Sequence, residues 1–304
     1  MTKKITAGSR GSKLAMVQTE SVVASIRKGN PDIEVNISRI VTGGDRNHHV
    51  PLEAVAGQGI FVKELEEALL DGRIDLAVHS LKDMPSQLPD GLHLAAVAER
   101  SDPRDVLISR NNQKLAELPA GAKVGTGSLR RVAQLTTIRP DLEISGIRGN
   151  VDTRLNKVAD GEFDAVILAA AAMKRLGWED RISEYLPVDI FLPAVGQGAM
   201  AIETRSDDEE IAGIIAPLNH LPTWQSITAE RSFLRTLGGG CQAPMAASGT
   251  VENATLRLDG MAIDVTKNKV LRGTEEGSLS SAEEMGVRLA QRLLAEGADK
   301  FLSL

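Results

Sequence analysis

Two stretches of this 304-residue chain echo each other, and that echo constrains the fold more than any other feature. ITAGSRGSKLAMVQ in the first half and AKVGTGSLRRVAQL in the second each read as a short apolar strand, a Gly/Ser turn and a helix. Ser12 and Ser128 stand where N-caps belong, ahead of apolar residues at helical spacing. Farther along, LLDGRIDLAVHS and VADGEFDAVILA both give a helix end, an Asp-Gly break and an apolar strand beginning at Asp75 or Asp164. Gly72 and Gly161 supply the left-handed residue that ends a helix at little cost. IEVNISRIV after Pro31 and LEISGI after Pro140 add one more strand to each half. The order strand, helix, strand, helix, strand predicts two α/β lobes, each a parallel sheet covered by helices, dividing near Ser101-Asp102-Pro103. Beyond residue 218 the pattern changes. TWQSITAERSFLRTL reads as an amphipathic helix ending at Gly238-Gly239-Gly240, strands follow in ATLRLDGMAI and KVLRGTEE, and AEEMGVRLAQRLLAEG closes with a helix: a small α+β domain.

Composition enters where it excludes partners. A formal charge of -6 argues against wholesale nucleic-acid binding, and 3% aromatic residues argue against a base-stacking platform. The single cysteine, Cys241, has no partner for an internal disulfide, which points to a reducing, cytoplasmic setting. MTKKITAGSR has no apolar signal-peptide core, and no stretch is apolar enough to span a membrane.

In α/β sheets, ligands bind beyond the carboxyl ends of the strands, at loops and helix N-termini. The notable polar residues gather there: Ser9, Arg10 and Ser12 after the first strand, and His79, Ser80, Lys82 and Asp83 in HSLKDMP. Thr126, Ser128, Arg130 and Arg131 follow KVG, and Arg148, Asn150 and Arg154 follow EISGI. Guanidinium forks bind carboxylates in a planar, bidentate way, so the expected ligand carries several carboxylates or phosphates, held in a cleft between the lobes. GSRGSK and GTGSLR lack the Gly-Lys-Ser/Thr ending of a nucleotide-binding loop. Asp83, amid these cations, is placed to stabilise a cationic intermediate or to exchange protons with substrate. Cys241 in LGGGCQAP sits on a permissive backbone that leaves the thiol approachable. No histidine stands at a spacing that marks it as the partner of a cysteine hydrolase, and no metal-ligand set is present. TGGDRNHHVPLEAVAGQGIF reads as a long loop, a candidate lid.

Taken together, GSRGSKLA, GIFVKELEEALL, DLAVHSLKDMP, GTGSLRR, IRGNVDTRL, LPAVGQGA and GGGCQAP resemble the motifs of the porphobilinogen deaminase (hydroxymethylbilane synthase) family, in the family's order and over nearly the whole chain. The resemblance implies two similar lobes of parallel or mixed sheet, like those of type II periplasmic binding proteins, plus the small C-terminal domain, with the chain returning to the first lobe near AMAIET. The implied domains are residues 1–99 with 200–217, residues 100–199, and residues 218–304 carrying the cofactor cysteine. It also implies a cytoplasmic, monomeric transferase of tetrapyrrole biosynthesis that joins four porphobilinogen molecules with loss of ammonia, through an electron-poor azafulvene, into a linear tetrapyrrole. The chain grows on a dipyrromethane cofactor held by a thioether to Cys241. A thiolate suits such an attachment because it attacks an electrophilic methylene well.

By the same resemblance, Asp83 serves the pyrrole nitrogens. Arg10, Ser12, Lys82, Thr126, Ser128, Arg130, Arg131, Arg148 and Arg154 match cofactor- and substrate-side binders, with Ser80 and Arg175 as additions. Phe61 resembles the aromatic residue that stacks near incoming substrate. Two positions depart from the family pattern: Gly127 replaces a serine and Gln58 a lysine. From the residues alone, the rival reading is a non-catalytic two-lobed binding protein for a small polycarboxylate, in which Cys241 and Asp83 have no task.

Overall fold

The computed structural model describes residues 3–43, 62–238, 244–264 and 269–301. Three positions singled out above, Cys241, Phe61 and Gln58, lie outside the described residues, as does most of the candidate lid. The chain divides into two compact units, Met1–Ser101 with Ala199–Trp224 and Asp102–Gly198 with Gln225–Leu304.

The first unit is built on a five-stranded sheet. β1 (Lys3–Arg10) leads into α1 (Lys13–Gly29), β2 (Ile33–Ile40), α2 (Lys63–Leu70), β3 (Leu76–Ser80) and a 3-10 turn, Leu81–Asp83. β4 (Leu92–Val97) follows, and β10 (Met200–Arg205) returns to the same sheet before α6 (Glu209–Ile215). The order is β2-β1-β3-β10-β4, with β1 parallel to β2 and β3, and β10 antiparallel to β3 and β4. α1 buries Ala15, Gln18, Thr19, Val22, Val23 and Ile26, the three-and-four spacing of one helix face.

In the second unit the corresponding elements are β5 (Asp105–Ser109), β6 (Lys123–Gly125), α3 (Leu129–Ile138), β7 (Glu143–Ser145), α4 (Val151–Ala159), β8 (Ala165–Ala169), α5 (Ala170–Leu176) and β9 (Glu184–Tyr185). Their sheet order, β7-β6-β8-β5-β9, repeats the first with the same strand directions. The echo reaches single hydrogen bonds. Asp75 accepts from the Thr6 amide at 2.7 Å and Asp164 from the Lys123 amide at 2.9 Å, each locking the start of one strand to its neighbour. Each aspartate also meets an arginine from the antiparallel strand or its end, Arg205 in one unit and Arg110 in the other. Gly72 and Gly161 have φ of +69° and +82°, the left-handed values the helix ends require.

The fold class is therefore the expected one, two similar α/β sheets and a small α+β part; of the parallel or mixed sheets expected, both are mixed, where the alternation of strands and helices by itself reads as parallel. Strands β10 and β5 cause the difference. Each is the first strand laid down after the chain passes from one unit to the other, so it enters its sheet from the opposite end and runs antiparallel.

The C-terminal part comprises α7 (Leu221–Leu237), the meander β11 (Met245–Glu252), β12 (Thr255–Asp264) and β13 (Lys269–Ser278), and α8 (Ala282–Ala295). Side chains alternate across its sheet. Met245, Ala247, Leu256, Leu258 and Ala262 pack with Phe233 of α7 and Leu289 of α8. Ala246, Met261 and Ile263 on the other face pack with Ala133 and Leu192 of the same unit. Gly286 lets the two helices touch, because a Cβ there would collide with the Ala229 carbonyl oxygen and lie 2.7 Å from the Phe233 nitrogen. Among the described residues no helix is long and apolar enough to cross a membrane.

Candidate active site

At the carboxyl ends of β1 and β3 the first unit brings together Arg10, Ser12, Gln18, Ser80 and Asp83 around a cavity of about 60 Å³. Local structure explains the placement. Ser12 caps α1, accepting from the Ala15 amide at 3.3 Å, so the chain turns sharply after Arg10. The Leu81 amide donates to the Ala199 carbonyl and the Met84 amide to the Leu81 carbonyl, which bends the chain after β3 into the short turn carrying Lys82 and Asp83. Lys82 and Asp83 are half-buried. Ser80 is oriented by a residue the sequence reading overlooked: the Gln18 amide nitrogen donates to its hydroxyl at 2.9 Å. The signal for Gln18 was present, since it is a polar residue on the buried face of an otherwise apolar helix stripe.

The second unit places the other candidates around the turns after β6 and β7. Arg148 is half-buried and has no protein partner among the described residues. Arg175, at the end of α5, donates to the Gly198 carbonyl at 2.7 Å. Burial pulls it down to about 10, and no carboxylate among the described residues pairs with it. An arginine desolvated without a counter-ion is a binding group waiting for an anion. Ser128 stands at the N-cap of α3 as expected, but its side chain makes no cap hydrogen bond, so the hydroxyl stays available. The Arg154 Nε donates to the Gly149 carbonyl at 2.9 Å, closing the turn in front of α4.

Thr126, Arg130 and Arg131 are engaged more deeply than an open clamp would be. Thr126 is buried and accepts from the Ser128 amide at 3.2 Å, shaping the turn. Arg130 and Arg131 are 4% and 6% exposed, and both grip Asp105 at the start of β5, at 2.8 and 2.6 Å. Arg130 also donates to the Leu192 carbonyl and Arg131 to the Ile167 carbonyl, while Gln197 donates to Asp105 at 2.9 Å and to the Pro103 carbonyl at 2.7 Å. Burial alone would raise the Asp105 carboxyl; the two guanidiniums and the Gln197 amide outweigh it and hold the group well below the usual carboxylate range. Asp105 was not singled out in the sequence, where it sits beside the more conspicuous Asp102-Pro103-Arg104.

Fold and side chains thus define a class: a duplicated α/β protein with buried and half-buried arginines gathered in one unit and a carboxylate among hydroxyls beside a cavity in the other. The comparisons narrow it. Residues 5–213 match "Porphobilinogen deaminase, dipyromethane cofactor binding domain" and residues 224–295 match "Porphobilinogen deaminase, C-terminal domain". A porphobilinogen deaminase of Geobacter metallireducens is 48% identical over 301 residues, covering 99% of this chain and 94% of that one. One of Brevibacillus brevis is 49% identical over 297 residues, covering 97% and 96%. The chain belongs to the porphobilinogen deaminase family. Among solved structures, the methionine-binding protein MetQ aligns with a TM-score of 0.43 at 15% identity, covering 73% of this chain and 90% of that one.

Proposed function

We propose that this chain is a transferase that joins four porphobilinogen molecules, with loss of ammonia, into the linear tetrapyrrole hydroxymethylbilane. The reading includes a dipyrromethane held by a thioether at Cys241, in the domain of residues 218–304, and a monomeric, cytoplasmic enzyme. Family membership supports the substrate. The observation in the structure that carries the reading is the pair Arg175 and Arg148, one desolvated without a counter-ion and the other without a protein partner among the described residues. Such groups fit a cofactor and substrate whose every pyrrole ring bears carboxylates.

When bound, the dipyrromethane supplies the terminal pyrrole carbon onto which each new unit is added. The protein's own groups then divide the work. Arg148, Arg154 and Arg175, with Arg10 and Lys82, hold acetate and propionate side chains, assisted by the hydroxyls of Ser12, Ser80, Ser128 and Thr126. Arg130 and Arg131 belong to the same set; a ligand carboxylate reaching them competes with Asp105, which keeps both guanidiniums oriented in the meantime. Phe61 stacks near the incoming ring. Asp83 accepts hydrogen bonds from pyrrole N–H groups and stabilises the positive charge that develops there when ammonia leaves and again when the new carbon–carbon bond forms.

The test is the intact mass of the purified protein together with porphobilinogen consumption. The expected result is a mass above the bare polypeptide by one dipyrromethane, lost in Cys241→Ser with nearly all activity. A bare mass in an active wild-type protein removes the covalent cofactor; a bare mass with no turnover favours the carrier reading.

A further inference from the structure

In the first unit, buried acids lie beneath α2 that no step above uses. β3 and β10 pair so that His79 stands opposite Ala201 and Glu203 opposite Ala77, which puts His79 and Glu203 diagonally on one face of the sheet. That face is covered by α2, whose Leu65, Ala68 and Leu69 pack on Ala77. His79 Nε2 lies 2.9 Å from Glu203 Oε2, and the two side chains are 2% and 0% exposed. Glu66 descends from α2 into the same region, 7% exposed, where it feels the charges of both Glu203 and His79. One oxygen of each carboxylate, Glu66 Oε1 and Glu203 Oε1, is buried with no hydrogen-bond partner among the described residues.

Among the described residues the surroundings offer no permanent counter-ion. On α2, Lys63 pairs with Glu67 and Glu64 accepts from the Gly43 amide. On β10, Arg205 is committed to Asp75 just before β3, to Asp208 and to the Leu69 and Ile74 carbonyls. β4 sets apolar Leu94 opposite Glu203, and β1 contributes Gly8, then Arg10 at its end. Fully deprotonated, the cluster of two carboxylates and one imidazole carries two negative charges in a dry site. It approaches neutrality only by keeping protons, and two bare carboxylate oxygens are the places to keep them. Consistent with this, burial, reinforced by the nearby Glu203 charge and opposed by His79, pushes Glu66 up to about 7.

We propose that Glu66, His79 and Glu203 form a buried proton-holding triad that sets the position of the β3 end, Ser80 to Asp83. Glu66 and Glu203 are then positioning residues for the pocket. The link is short. His79 is joined directly to Ser80, the Leu81–Asp83 turn follows at once, and Leu81 is anchored to Ala199 at the entrance of β10, the strand that carries Glu203. Loss of the proton held on Glu66 leaves two buried negative carboxylates, one on β10 and one on α2, whose repulsion is relieved by movement of the elements carrying them. Only the part assigned to Asp83 rests on the proposed function.

The proton is read directly in the wild-type protein by the infrared carbonyl stretch of a protonated carboxyl, and the strand end by the amide resonances of Ser80 to Asp83. A carboxyl band that disappears near pH 7 is expected, absent in Glu66→Gln, with the four amides moving at the same midpoint in wild type and standing still in the variant. Glu203→Gln removes the neighbouring charge and should shift that midpoint downward by about one pH unit. If Glu66→Gln does not fold, the wild-type band and its shift in Glu203→Gln decide the matter. The absence of a band titrating near neutrality overturns the triad, and a titrating band with unmoved amides overturns its positioning role. Porphobilinogen turnover is followed in parallel: its absence in wild type defeats the proposed function and leaves both spectra to judge the triad.

Discussion

At the scale of single residues, Asp105 and Asp83 show two uses of a carboxylate. Asp105 is fully buried between Arg130 and Arg131, with Gln197 donating to the oxygen that Arg131 also holds. Removing its charge strands two guanidiniums in a low-dielectric site, so Asp105→Asn is expected to destabilise the protein by about 3–5 kcal/mol in denaturant unfolding. The sign of its pH dependence follows from its lowered value. The native state holds the deprotonated form better than the unfolded chain does, so the contribution is complete above about pH 4 and declines as acid is added below that point. An acid melt of Asp105→Asn should lack that part of the decline. Asp83 differs: it is half-buried in a turn beside a cavity, and no fold contact among the described residues demands its charge. Asp83→Asn should fold with wild-type stability yet slow single-turnover formation of the new carbon–carbon bond by roughly a hundredfold or more. A near-normal rate in cofactor-loaded Asp83→Asn would reduce Asp83 to a residue of the Pro85 turn.

At the scale of elements, close approaches decide more than propensities. α7 and α8 cross where Gly286 faces Ala229 and Phe233, and there is no room for a methyl group. Gly286→Ala improves helix propensity by up to about 1 kcal/mol, yet it forces the helices apart and is expected to lower stability by about 1–3 kcal/mol. The measurement is the urea midpoint; a rise would show that the contact relaxes freely. The paired aspartates carry the same lesson. Asp75 and Asp164 were read only as the first residues of strands, whereas each ties its strand to a neighbour and to an arginine from the next. The spacing of helix, Asp-Gly break and apolar strand was legible because it is local. The hydrogen bonds were not, because their partners are 69 and 41 residues away.

At the scale of the whole molecule, a cofactor joined to the folded chain stabilises it by linkage, since it gains its contacts only in the native state. Cys241→Ser should therefore melt below wild type as well as lose the mass increment; equal melting points would mean that the cofactor adds no folding contacts. What the sequence determined by itself was whatever depends on local order. The duplication, the helix ends at Gly72 and Gly161, the change of pattern after residue 218 and the motifs from GSRGSKLA to GGGCQAP are all written in neighbouring residues. Arg148 was legible as a candidate anion binder because its charge and its place after a strand are local facts, whereas Arg175 was a candidate only through the family resemblance. Tertiary structure alone decided the antiparallel course of β5 and β10, since strand direction depends on the end of the sheet to which a returning chain is delivered. It also separated arginines that look alike in sequence: Arg130 and Arg131 are held by an aspartate that the fold brings between them, and Arg175 is half-buried with no such carboxylate among the described residues. A guanidinium's role is set by the acid that folding does or does not place beside it, and that choice is made through space, not along the chain.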